Sequence, residues 1–163
     1  MKLADGWTVE GKTVPHDDRS RVRAAGSMDT TIADFTRWAA ALVRGDGLSR
    51  RARREMVWPH LPITTAAQFP TLAPELPPGR RFANLAAGLG VKSFSGPQGP
   101  GFFHGGHNDS TGNIWLCVER RRRCVVALSN DVRAERAYPA LVRALLGETG
   151  APWAWVYPEQ SAR

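Results

Sequence analysis

Apolar residues recur at helical spacing in one early stretch. Between Thr31 and Gly47 they fall at Ile32, Phe35, Ala39, Leu42 and Val43. Thr31 with Asp34 three residues on is a capping-box pattern, in which short polar side chains satisfy the open N–H groups of a first turn. Gly45 and Gly47 stop the repeat. The pattern predicts an amphipathic helix of about three and a half turns with one buried stripe. Ser49 is placed to cap a second, shorter helix through Met56, ended by Pro59.

The later pattern is different. Residues 59–84 carry six prolines, at 59, 62, 70, 74, 77 and 78, so regular structure is not expected there. A long irregular stretch in a compact domain is usually a functional loop or lid. Ala87–Phe94 reads as a strand, Gly99-Pro100-Gly101 as a turn, and Asn113–Glu119 as a strand apolar on both faces. Ile114, Leu116 and Val118 take one face; Trp115 and Cys117 take the other. Cys124–Leu128 is a further strand of the same kind. Strands buried on both faces need a layer above and below. The expected fold is α+β, an antiparallel sheet flanked by helices. Val132–Leu146 is expected as a terminal helix with Pro139 in its first turns or at a kink. The chain divides into a hairpin and connection (1–26), a helical segment (27–58), the Pro-rich loop (59–84), strands (85–130), a helix (131–147) and an aromatic tail (148–163) that packs back.

Composition narrows the function classes. The 163 residues suit one domain with a core, at 42% hydrophobic and 23% charged. No apolar run approaches membrane-spanning length, so no membrane partner is expected. The start at Met1 lacks the pattern of a signal peptide, and the compartment stays open. Net charge is +7, and Arg outnumbers Lys 19 to 3. The cations gather at Arg50, Arg51, Arg53 and Arg54, and at Arg120 to Arg123. Neither group joins a recognition helix or stacking aromatics, so both read as solvated surface, and nucleic acid is not an expected partner. Cys117 and Cys124 face one another across a hairpin in this reading. A disulfide is geometrically conceivable; reduced, buried thiols are the preferred expectation.

Candidate chemistry concentrates in His104-Gly105-Gly106-His107-Asn108-Asp109. Its glycines let a ligand approach the backbone closely. A metal site from His104, His107 and Asp109 is disfavoured, because Gly105-Gly106 opposes a helix and strand positions three apart face opposite ways. A phosphate loop lacks its G-x-x-x-x-G-K-[ST] signature. An edge strand lining a hydrolase pocket remains.

Several segments together resemble the serine β-lactamase-like family, which includes class C β-lactamases, D,D-peptidases and related esterases. Ala24-Ala25-Gly26-Ser27-Met28-Asp29-Thr30-Thr31-Ile32-Ala33-Asp34-Phe35 resembles its AAGGL-x-ST-x-x-DL segment, continuing through Trp38, Leu42 and Gly45-Asp46-Gly47. Gly88-Leu89-Gly90-Val91 resembles its YGLGW strand. His104-Gly105-Gly106 followed by Gly112 resembles its H-[TSG]-G…G element, and Val125–Asn130 its VVVLSN strand. The resemblance implies the C-terminal part of a β-lactamase/transpeptidase-like fold. It implies that His104 lines the pocket, that Gly105 and Gly106 let substrate lie along the strand, and that the His107 backbone N–H supplies one of two oxyanion donors. No cofactor and no metal are expected. The complete enzyme would hydrolyse an ester, amide or lactam through an acyl-enzyme.

The chain departs from that pattern at the nucleophile. No serine is followed by Lys at the third position, and neither tyrosine begins a Tyr-x-Asn. Ser129-Asn130-Asp131 resembles a scrambled Ser-Asp-Asn but reads as structural. The expectation is a C-terminal hydrolase portion without its nucleophile, inactive alone. The alternative expectation is a noncatalytic module that pairs through its open sheet, as a homo-oligomer or with a separate N-terminal chain.

Overall fold

A computed structural model describes residues 3–16, 28–70 and 72–158. Most of the connection within 1–26 and all of the Ala24–Ser27 part of the family-like segment lie outside these residues.

A short hairpin comes first, β1 (Gly6–Trp7) against β2 (Thr13–Val14). Helix α1 spans Ile32–Arg44. The Thr31 hydroxyl accepts from the Asp34 N–H at 3.1 Å, and Gly45 ends the helix at φ 83°. That left-handed conformation suits glycine, and its N–H returns to the Ala41 and Leu42 carbonyls. Ala39, Leu42 and Val43 form the buried stripe, whereas Ile32, expected in it, is 52% exposed. Helix α2 (Arg50–Val57) starts at the Ser49 cap.

The main sheet is antiparallel, with six strands neighbouring in chain order: β3 (Leu61–Pro62), β4 (Ala86–Ala87), β5 (Lys92–Gly96), β6 (Gly99–His107), β7 (Gly112–Val118) and β8 (Arg123–Ser129). Helices α3 (Tyr138–Leu146) and α4 (Trp153–Val156) complete the chain. The fold is α+β, an antiparallel sheet flanked by helices.

Strand alternation builds two cores. Phe94, Phe103, Ile114, Leu116, Val118 and Val125 pack against Tyr138, Val142 and Leu146 of α3 and Trp155 and Val156 of α4. Val91, Phe102, Trp115 and Cys117 pack against Leu42 and Val43 of α1, with Met56 and Val57 of α2 alongside. The aromatic tail thus folds back through Trp155, which is 4% exposed. Among the described residues, no helix is long and apolar enough to cross a membrane.

Several expectations are corrected. The strand over Ala87–Phe94 is two strands, separated where the Gly88 N–H bonds the Val91 carbonyl at 2.9 Å and Gly90 takes φ 79°. Gly99-Pro100-Gly101 is the start of β6; the turn falls at Pro97-Gln98. Only from Tyr138 is the terminal helix α-helical. Val132–Ala137 is a 3₁₀ stretch, and Pro139 sits in the first turn, where a missing N–H costs nothing. Cys117 and Cys124, at opposed positions of β7 and β8, form a disulfide rather than two thiols.

Two arginines leave the expected solvated groups. Arg53 donates to both Glu119 carboxylate oxygens at 2.7 and 2.8 Å and to the Val43 carbonyl at 3.0 Å. It therefore ties α2 to the end of α1 and to the end of β7. Arg123 donates to the Gln98 side chain at 2.9 Å and the Leu146 carbonyl at 3.2 Å, closing the last turn of α3.

Candidate functional site

The segment singled out for chemistry is the second half of β6. All of β6 from Gly101 onward pairs with β7, ending at His107 opposite Gly112. β5 reaches only as far as Phe103, opposite Lys92. Among the described residues, the outer edge of His104–His107 therefore has no strand beside it.

Ladder alternation says which backbone groups face that edge. The Asn108 N–H bonds the Thr111 carbonyl at 3.1 Å, so those two form a hydrogen-bonded pair. Pairs alternate in an antiparallel ladder, which makes His107–Gly112 and Gly105–Ile114 non-hydrogen-bonded pairs. The amides of Gly105 and His107 consequently point away from β7, toward the open edge. They lie two residues apart, about 7 Å along the strand. One oxygen cannot accept from both, so β6 can give an oxyanion one donor and must leave the second to another segment.

The four side-chain positions divide between the faces. His104 lies opposite Trp115, on the α1 face. Trp115 meets Phe102 at 5.8 Å and the half-exposed Trp38 edge-on at 5.1 Å between ring centroids. His104 thus borders an aromatic ridge. Loss of hydration, with Lys92 nearby adding repulsion, pushes its imidazole below its ordinary pKa of 6.5. It is neutral at pH 7 and keeps a lone pair able to accept a proton. Lys92 is lowered too, through burial. Gly105 and Gly106 present no side chain, and nothing lies within 4 Å of a Cβ built on Gly106.

His107 lies on the other face. Its Nδ1 is 3.0 and 3.1 Å from the two carboxylate oxygens of Glu135, and its ring is 5.5 Å from that of Phe69. Glu135 is 8% exposed; desolvation raises its pKa while the bond to His107 opposes the rise. Gly112 is required here, because a Cβ would overlap the Glu135 side chain. The Tyr138 hydroxyl donates to the Gly112 carbonyl at 2.6 Å. The strand thus separates His104 from His107, and with Asp109 in the turn beyond, the three cannot close around one ion.

Ser129-Asn130-Asp131 is structural. The Ser129 hydroxyl and the Asp131 backbone exchange bonds at 2.9 and 3.0 Å, Asn130 holds the Asp5 carbonyl at 2.7 Å, and Asp131 caps the 3₁₀ stretch.

Sequence reasoning did not find Glu135, Phe69 or Lys92. Glu135 and Phe69 lie 28 and 38 positions from His107 and carry no local motif. Lys92 had a usable signal, as a lone lysine inside an apolar run. No protein-family model matches the chain, and no curated protein or solved structure matches it.

Proposed function

We propose that this chain is the C-terminal, pocket-forming portion of a β-lactamase-like serine hydrolase acting on an ester, amide or lactam. The observation that carries the reading is the open edge of β6. It offers outward amides at Gly105 and His107, a bare Gly105-Gly106 surface and a neutral His104. An acyl group lying along this edge gains one oxyanion donor and a group able to accept or relay a proton. The order of the family-like segments supports the same reading. No serine of the chain has the Ser-x-x-Lys context, so the nucleophile and the second donor come from another segment, and these residues alone do not turn over substrate.

Two measurements on the chain test this. Titration with a hydrolysed penicillin should move the amide NMR resonances of Gly105 and His107 and leave those of Gly11 and Gly147 in place. No movement at millimolar ligand sinks the pocket assignment. A fluorophosphonate probe should label no serine; a labelled serine overturns the proposed inactivity.

The second reading is a noncatalytic module that pairs through its sheet. Among the described residues β8 has one strand neighbour, β7, and its other edge carries open backbone donors and acceptors. Sedimentation showing a concentration-dependent dimer favours this reading, and a monomer at high concentration removes it.

A further inference from the structure

A cleft of about 620 Å³ lies at the other end of β6 from His104, where α2 and the approach to β4 meet β5. The sheet opens there for a local reason. Within β5, β4 reaches only Lys92 and Ser93, so Phe94 and Ser95 extend past it. Asn84, at φ 60°, turns the chain sharply just before β4. Val57, Trp58, Phe82, Leu85, Phe94 and Phe102 supply apolar wall. Trp58 is 55% exposed, a large aromatic surface left beside a concave site.

The polar groups in this wall are unequal in charge. Arg54 and Arg81 both line the cleft. The Arg81 Nε donates to the Leu76 carbonyl at 3.0 Å, which orients the guanidinium, and its other end stands 4.0 Å from the exposed Glu75. The one carboxylate in the wall, Glu119, is already held in two short bonds by Arg53, which does not line the cleft. Glu119 is therefore neutralised from behind; Arg54 has no carboxylate partner among the described residues, and Arg81 meets Glu75 only at the exposed rim, so cationic charge remains over an apolar floor. A volume in the drug-sized range, mostly apolar walls and a few placed polar groups are the features of a small-molecule site.

We propose that this cleft binds a small organic carboxylate with an apolar body, of the medium-chain acyl or aryl type. The carboxylate takes the Arg54 and Arg81 guanidinium groups, which match its planar geometry. The hydrocarbon lies against Trp58, Phe82 and Phe94. The net charge of +7 favours the approach of such an anion. This proposal is independent of the hydrolase reading, since it uses none of His104–His107.

Calorimetry on the full chain with decanoate, decanol and acetate, all below micelle formation, tests it. Decanoate should bind about tenfold or more tighter than decanol, because a charge-assisted pair adds to the same burial, and acetate should not register. The double variant Arg54→Met, Arg81→Met keeps the apolar stems. It should bring decanoate down to the affinity of decanol and leave decanol unchanged. Trp58→Ala should weaken both ligands. Equal affinity for acid and alcohol, no binding of decanoate, or full decanoate affinity in the double variant overturns the proposal. Circular dichroism confirms that the variants remain folded, as both arginines are exposed.

Discussion

The two halves of β6 share one backbone and one partner strand, yet they are chemically unlike. Gly99–Phe103 is flanked by β5 on one side and, from Gly101, by β7 on the other; Gly101, Phe102 and Phe103 are buried. His104–His107 keeps β7 alone among the described residues, and His104, Gly106 and His107 are exposed. The change comes where β5 begins at Lys92, so a neighbour's length decides which amides of β6 are free. The first half is committed to the core, and the second is available to a ligand.

The largest expected effect tests that division directly. Phe103 is 1% exposed within the core under α3 and α4. Phe103→Ala should cost about 3–5 kcal/mol in urea unfolding, through lost burial and an unfilled cavity. His104→Ala, one residue on, should change stability by only about 0.5 kcal/mol. Equal losses at the two positions break the comparison.

Next in size is the disulfide that backs the buried half, since Cys117 lies opposite both Phe102 and Cys124. Replacing both cysteines by Ala should lower unfolding free energy by about 2 kcal/mol, the cost of releasing a short closed loop. No change would mean that the cross-link is not formed in solution.

A third effect lies within the open half. Gly112→Ala forces a methyl into Glu135 and should cost about 1–3 kcal/mol. Adding Glu135→Ala should recover part of that loss, because the two changes share one contact. Gly106→Ala, with open space around it, should cost less than either. An effect at Gly106 as large as that at Gly112 contradicts the assigned packing.

The sequence carried some of this better than the rest. Helix α1 was legible because its signals are local: Thr31 and Asp34 at one end, Gly45 at the other. The two faces of β7 were legible because period-two alternation is a property of the strand itself. The break between β4 and β5 was hidden in an apolar run, where Gly88 backs onto the Met56 carbonyl from a distant helix. The 3₁₀ stretch before α3 has the sequence pattern of a helix, because 3₁₀ and α turns share apolar spacing over so few residues. At the candidate site, His104–His107 was visible as a glycine-rich motif. Its open edge, the Glu135 partner and the cleft beside Arg54 and Arg81 depend on where other strands stop, which no local spacing encodes.

The smallest effect concerns the acid–base behaviour of the open half. His104 is lowered in the folded state from 6.5, so below that pH the unfolded chain binds more protons at this group. Its contribution to stability is complete above pH 6.5 and is lost as pH falls through the folded value. Glu135 behaves oppositely. Its raised pKa means that the folded chain holds the proton longer, so its contribution is present below pH 4.5 and is lost as pH rises through the folded value. Urea unfolding across pH 4.5 to 7.5 separates the two. His104→Gln should flatten the loss on the acid side, whereas Glu135→Gln should flatten the decline toward neutrality. The His104 slope should be shallow, because an exposed imidazole is partly screened by water. If His104→Gln leaves the acid limb unchanged, the imidazole is fully hydrated, and the neutral base assigned to the β6 edge loses its physical cause.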